Sequence, residues 1–256
     1  MIKIAIKKLE RVKTKIKGFD ELVEGGIPKG HSVLVTGGPG TGKSIFCMEF
    51  LVNGAKQGEN GLYVSFEQND EDIKMQALQF GWDLNELEKK KKLNVMSIKV
   101  KDINKKTIDK IKSFAKKNNI KRLVIDSLST LIVNAPIYED LSKLGVTDYL
   151  SNRTFYSPPI IGDKVVNRFL YNFIDEIKSI KDCTTLIVAE ASENGMSNEI
   201  ILGEYSCDGV IKITFESLGG EYSRSLIVRK MRMTKNNDDV HPMEISNKGV
   251  ILHSLG

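Results

Sequence analysis

Cysteine is scarce: Cys47, Cys183 and Cys207 are the three in 256 residues, far apart and each in an apolar or strand-like setting. An odd number so spaced excludes a disulfide framework and offers no metal-site pattern, so buried thiols are expected. No apolar run approaches the roughly 20 residues that cross a bilayer. The first residues, Met1-Ile2-Lys3-Ile4-Ala5-Ile6-Lys7, alternate like a strand and lack the long apolar core of a signal peptide, so a cytoplasmic protein with no membrane span is expected. Internal repeats and low-complexity segments are absent, and 41% hydrophobic with 28% charged residues excludes a disordered chain. A strong charge of one sign is missing too. Thirty-eight basic against 33 acidic residues leaves +5, which permits contact with nucleic acid without requiring it. Lysines cluster at Lys89-Lys90-Lys91-Lys92 and between Lys99 and Lys117, where Phe114 is the one aromatic residue among them. A solvated helix face is the favoured reading over a nucleic-acid track.

What is present is a phosphate-binding pattern. Gly37-Gly38-Pro39-Gly40-Thr41-Gly42-Lys43-Ser44 matches G-x-x-x-x-G-K-[ST] in full, follows the apolar run Val33-Leu34-Val35 and precedes a helical stretch with no breaker until Gly54. Glycines let successive backbone N–H groups turn toward one point, Lys43 adds a positive charge, and Ser44 can ligate magnesium. A nucleoside triphosphate on a helix N-terminus is the ligand such a loop fits.

The chain length suits one α/β domain over residues 1–256. Residues 1–17 read as an edge strand and entry segment, and Gly18-Phe19-Asp20-Glu21-Leu22-Val23 as a short helix capped by Gly25-Gly26. Hydrophobic runs then alternate with helices, the pattern of parallel βαβ units. Strands are expected at Gly61–Phe66, Leu93–Ile98, Lys121–Asp126 and Thr184–Ala189, with helices at 70–80, Lys106–Lys117 and 165–181. Short strands around 208–216, 222–232, 241–246 and 249–253 predict a C-terminal antiparallel meander, with Gly219-Gly220 as a tight hairpin turn. From Ile132 to Asp163, three prolines and no clear period predict a long insertion loop.

Hydrolysis of a triphosphate needs a metal, a carboxylate that orients water and a positive charge for the transition state. Asp126 closes an apolar strand and is placed to join Ser44 at magnesium; the structural alternative is a helix N-cap. Glu67 follows the strand after the loop helix, so in a parallel sheet it emerges at the phosphate edge as a candidate general base or water-positioning group. A surface acid at a strand end is the alternative. Gln68 can only hydrogen bond.

These segments resemble the KaiC-type ATPases of the RecA superfamily, most closely single-domain archaeal members, over nearly the whole chain from Arg11 to about Val250. Gly18-Phe19-Asp20-Glu21-Leu22, Gly25-Gly26-Ile27-Pro28-Lys29-Gly30, the glycine loop, Val124-Ile125-Asp126-Ser127 and the run from Ser225 to Arg232 carry the likeness. The resemblance implies a RecA-like core, with a mostly parallel sheet flanked by helices, that binds ATP and magnesium between subunits of a hexameric ring. It implies nucleotide contacts from Gly38, Pro39, Gly40, Thr41, Gly42, Lys43, Ser44 and Ile45, and metal contacts from Ser44 and Asp126. Glu67 and Lys43 would serve catalysis, with Lys230 and Arg232 reaching a neighbour's phosphates. Period-two geometry independently puts Lys230 and Arg232 on one strand face. Two departures stand out: Gln68 occupies the position of a second acid, and Met233 replaces a glycine after Arg232. Glu204 and Tyr205 stand where the clock protein phosphorylates itself, so that autokinase activity is not expected. Glu190, at a strand end, is a candidate sensor of the nucleotide or a plain strand-end acid.

The expected function is an ATP-binding, slowly hydrolysing ring protein that acts as a switch or regulator on an unidentified protein partner. Two alternatives share the core. A non-hydrolysing scaffold, like the KaiC-like subunit of the archaellum motor, is supported by Gln68. A DNA-dependent recombinase or helicase is supported by the lysine runs, and opposed by a chain that starts almost at the ATPase core with no stacking platform.

Overall fold

The protein is described by a computed structural model over residues 9–104, 106–134, 159–191, 198–218 and 221–254. Strand β1 (Arg11–Val12) pairs only with β2 (Ile27–Pro28) in a small antiparallel ribbon, and between them lies a 3₁₀ turn, Asp20–Val23. Of the entry segment, Arg11–Val12 forms this ribbon and Lys17 makes one parallel bridge to Ile251 in the edge strand of the main sheet; residues 1–8 lie outside the described residues. The chain then enters β3 (Ser32–Gly37), whose six residues are all buried. A strand covered on both faces reads as a continuous apolar run, which is why Val33-Leu34-Val35 carries no polar alternation.

Helix α1 (Lys43–Lys56) leads to β4 (Gly61–Ser65), and α2 (Asp70–Leu78) and α3 (Leu84–Lys89) lead to β5 (Leu93–Ser97). Helix α4 (Lys106–Lys117), β6 (Arg122–Asp126), α5 (Leu128–Val133), α6 (Pro159–Lys178), β7 (Thr184–Glu190) and α7 (Asn198–Ser206) follow. The last strands are β8 (Gly209–Leu218), β9 (Glu221–Met231), β10 (His241–Ser246) and β11 (Gly249–Leu252). One nine-stranded sheet has the order β11-β10-β9-β8-β3-β7-β6-β4-β5, parallel from β8 to β5 and antiparallel from β8 to β11. The expected α/β fold with a C-terminal antiparallel meander is observed.

Alternation along β3 divides the core in two. Val33 and Val35 pack with Phe46 and Phe50 of α1 on one face. Leu34 packs on the other face in a cluster with Ile111 of α4 and Phe173 of α6. Helix α1 is apolar on most sides because β10 and β11 cover it as well, through Met243, Val250 and Leu252. Arg122 is fully buried behind it. Its guanidinium donates to Phe50 O (2.7 Å) and Lys13 O (2.9 Å), pairs with Glu59 and lies over the Phe50 ring. A Cβ at Gly54 would stand 2.4 Å from Arg122 Cδ, so the glycine is a close-approach site and not a helix stop.

Several boundaries differ from expectation. The insertion expected at 132–163 is shorter at both ends, since α5 runs through Val133 and α6 begins at Pro159, a residue suited to a first helical turn. What lies at 135–158, and the turn expected at Gly219-Gly220, fall outside the described residues. Helices α3, α5 and α7 are additions. The first two are short and declared by their N-caps: Asp83 accepts from Glu86 N, and Ser127 from Thr130 N. The alternative reading of Asp126 as a helix N-cap is thus one residue off, Ser127 being the cap. Helix α7 hides behind Gly203, which packs against Leu34.

Glu49 on α1 accepts the backbone N–H of Val250 (2.7 Å), pinning the meander to the helix. Burial raises its pKa to about 6 from the usual 4.5. A carboxyl raised in the folded state contributes stability that is complete below pH 4.5 and lost as pH climbs through 6. Replacing it with glutamine keeps the acceptor and removes the titration. In urea unfolding, Glu49→Gln is therefore expected to match wild type near pH 4.5 and to exceed it by about 2 kcal/mol at pH 7; a constant difference at both pH values contradicts this.

Candidate functional site

Between β3 and α1 the backbone makes a tight loop that only glycine permits at two places. Gly37 lies so close to β8 that a Cβ would meet Ile213 O at 2.2 Å. Gly42, the N-cap of α1, has φ 102°, and a Cβ there would meet Ile245 Cδ1 at 2.7 Å. Thr41 Oγ1 closes the loop on Gly38 O (2.9 Å), and Lys43 Nζ donates to Gly37 O (2.9 Å) and Gly38 O (2.7 Å). The Lys43 amine is buried, which lowers its pKa, while Glu190, Asp126 and Glu67 act in the opposite sense. A cavity of about 320 Å³ opens over the loop, lined also by Ile45, Glu67, Asp126, Glu190 and Arg224.

Asp126 ends β6 beside Ser65 of β4, in register with the loop edge of the sheet. Its Oδ2 accepts from Ser44 Oγ (2.8 Å) and from the Tyr63 hydroxyl. Burial pushes the Asp126 carboxyl up, the Tyr63 and Ser44 hydrogen bonds pull it down, and the net direction is upward. Burial, with the Asp126 charge behind it, drives the Tyr63 hydroxyl well above its ordinary range, so Tyr63 stays a donor. Ser44 and Asp126 present adjacent hard oxygens of the kind magnesium takes, and they fit that ion. Among the described residues no cluster of three or more His, Cys, Asp and Glu could hold a metal, and no helix is long and apolar enough to cross a membrane.

Glu67 stands at the same edge, two residues past Ser65. Its Oε1 accepts from the hydroxyls of Ser127 and Thr130 (2.6 Å to the latter), both in the first turn of α5. The third hydroxyl there, Ser129 Oγ, accepts the backbone N–H of Glu190 (3.0 Å). Gln68 donates its N–H to Ser65 Oγ (2.9 Å) and is exposed. Loop, Ser44, Ile45, Glu67, Asp126 and Glu190 are thus gathered in one place. Lys230 and Arg232 are not. Since β8 pairs Gly209 with Val33 and β9 pairs Met231 with Gly209, both lie at the opposite end of β3, and β9 stops at Met231 so that Arg232 begins a turn. Lys230 Nζ donates to Glu204 O and Cys207 O, both 2.8 Å, and Arg232 pairs with Asp208.

Four groups at the site escaped the sequence reading: Tyr63, Ser127, Thr130 and Arg224. The hydroxyl run Ser127-Leu128-Ser129-Thr130 directly after Asp126 was the available signal for two of them. Arg224 had none, because its place depends on β9 lying two strands from β3. Its guanidinium stacks over Phe215 and donates to Gly40 O at 3.2 and 3.3 Å.

Comparison with known proteins agrees with this geometry. A family model described as "ATPase: KaiC" matches residues 12–138 and 160–256. The chain is 32% identical over 263 residues to a UPF0273 protein of Thermotoga maritima, covering 96% of each. It is 32% identical over 264 residues to a UPF0273 protein of Methanocaldococcus jannaschii, covering 96% of this chain and 97% of that one. Among solved structures, a KaiC-like protein from Pyrococcus horikoshii aligns with a TM-score of 0.77 at 30% identity, over 96% of this chain and 100% of that chain.

Asp126 must be ionised to hold a cation, and the Tyr63 bond favours that form. Tyr63→Phe is expected to move the acid limb of magnesium-dependent binding of a fluorescent ATP analogue upward by about one pH unit. An unmoved limb would show that Tyr63 does not tune Asp126.

Proposed function

This chain belongs to the KaiC family of ATPases, and on that footing we propose that it binds ATP with magnesium at Gly37–Ser44, hydrolyses it slowly, and works as a nucleotide-dependent regulator in a ring of identical subunits. One observation carries the proposal. Ser44, Asp126 and Glu67 converge at the loop, while Arg232 lies level with Ser32, about 17 Å along β3 from Gly37, and Lys230 level with Leu34, about 10 Å along the strand and two strands across, so neither side chain reaches the loop of its own chain. Only a second subunit can bring such a pair to a phosphate.

The backbone N–H groups of the loop and Lys43 hold the β- and γ-phosphates, and Arg224 braces the loop through Gly40. Magnesium, held by Ser44 and Asp126, would supply charge neutralisation at the phosphate oxygens. Glu67, kept in one orientation by Ser127 and Thr130, positions a water for in-line attack. The neighbour's Arg232-type cation stabilises charge in the transition state, a contribution on the order of a thousandfold where such arginines act. A scaffold that holds ATP with negligible turnover is the alternative, favoured by Gln68, whose amide cannot share the work of a second carboxylate.

A mixing experiment decides the shared site. Lys43→Ala subunits cannot hold phosphate but keep Arg232; Arg232→Ala subunits do the reverse. Each is expected to be nearly inactive alone. A one-to-one mixture should recover about a quarter of wild-type phosphate release, because half the subunits keep Lys43 and half of those have a neighbour with Arg232. Co-assembly without recovery refutes the shared site, and wild-type release no higher than that of Lys43→Ala leaves the scaffold.

A further inference from the structure

At the sheet edge opposite the loop, Asp208 joins α7 to β8 and uses every polar atom it has. Its backbone N–H donates to Ser32 O, and its carbonyl accepts the N–H of Arg232, both at 2.8 Å. Oδ2 accepts from the N–H (3.1 Å) and hydroxyl (3.2 Å) of Ser32. Oδ1 accepts from Lys178 Nζ (2.9 Å) and from the Arg232 guanidinium (3.0 Å). Burial pushes this carboxyl up, but the hydrogen bonds from Lys178 and Ser32 outweigh it and Asp208 stays below the usual carboxylate range, ionised at neutral pH.

The two partners differ in exposure. The Asp208 side chain is 11% exposed and that of Arg232 is 51% exposed, so a buried anchor grips an outward-facing cation. Arg232 sits one residue past the end of β9, on a turn, where a long side chain samples many rotamers unless something holds it. A carboxylate on one N–H of the guanidinium restricts the direction of the side chain and leaves other donors for a second anion. Ser32, on the other side of the carboxylate, is the first residue of β3, the strand that ends in the nucleotide loop.

We propose that Asp208 is the positioning residue for Arg232: by binding the guanidinium and the first residue of β3 together, it sets the direction in which each subunit presents Arg232 to the phosphate held by the next. This rests on the shared site put forward above. Asp208 touches no nucleotide itself; it acts through Arg232.

The test places Asp208→Asn separately in the two halves of the mixture. In the Lys43→Ala subunit, which donates Arg232, the substitution is expected to lower the recovered kcat about tenfold with KM for ATP unchanged, the scale of coupling within one hydrogen-bond network. In the Arg232→Ala subunit, which holds the nucleotide, it is expected to leave recovery intact. Size-exclusion mass with ATP checks that all mixtures assemble. Equal loss in both positions would mark Asp208 as a structural support of β3, and no loss in either would show that Arg232 needs no aiming; both overturn the inference while leaving the shared site standing. If the parent mixture itself shows no recovery, the shared site fails and this inference with it. Ser32→Ala, which removes one hydrogen bond to Oδ2, is run in parallel with the same expected asymmetry at smaller amplitude. It decides the matter should Asp208→Asn unfold at assay temperature.

Discussion

Strand β3 is hydrogen-bonded on both sides to parallel neighbours, β7 and β8, and buried along its whole length. That constraint fixes the loop Gly38–Gly42 at the carboxyl edge of the sheet, where parallel strands deliver their last residues together. Asp126 at the end of β6 and Glu190 at the end of β7 arrive there for the same reason, and Glu67 two residues beyond β4. The other edge is set by the same strand: Ser32, at its start, holds Asp208, which in turn holds Lys178 and Arg232. A chain built this way carries its glycine loop on one edge and its cationic pair on the other.

Hydroxyl donors orient the two acids of the site. Tyr63 and Ser44 share one oxygen of Asp126, and Ser127 and Thr130 share one oxygen of Glu67. The acids are therefore oriented by donors that stay protonated at neutral pH, a stable way to aim negative charge into the cavity over the loop. Helix α5 is only six residues long, yet its first turn orients Glu67 by side-chain hydroxyls and Glu190 by a backbone bond.

Much of this was legible because the informative patterns are local. The loop octet, the apolar strands ending in Asp126 and Glu190, the amphipathic α4 and the four closing strands each depend on residues within a dozen positions, where periodicity and turn chemistry operate. What went unread depends on contacts between distant segments. Gly54 looks like a helix stop until Arg122, sixty-eight positions on, is packed against it. Helix α7 carries a glycine where it touches Leu34, and local propensity argues against it. Arg224 reaches Gly40 across 184 positions and left no signal in its own neighbourhood.

By itself, the sequence determined the nucleotide-type loop, the parallel order of strands feeding it and the identity of the acids beside it, since strand period and glycine geometry act at short range. Only the tertiary structure decided where the cationic residues of the closing strands lie along the sheet. Lys230 and Arg232 read as residues that reach a neighbour's phosphates, and the pairing of β8 with β3 and of β9 with β8 sets them away from their own loop, where Asp208 holds Arg232 and the carbonyls of Glu204 and Cys207 hold Lys230. The reason is physical: hydrogen-bonded register between strands far apart in the chain places side chains along the sheet, and no local pattern encodes it.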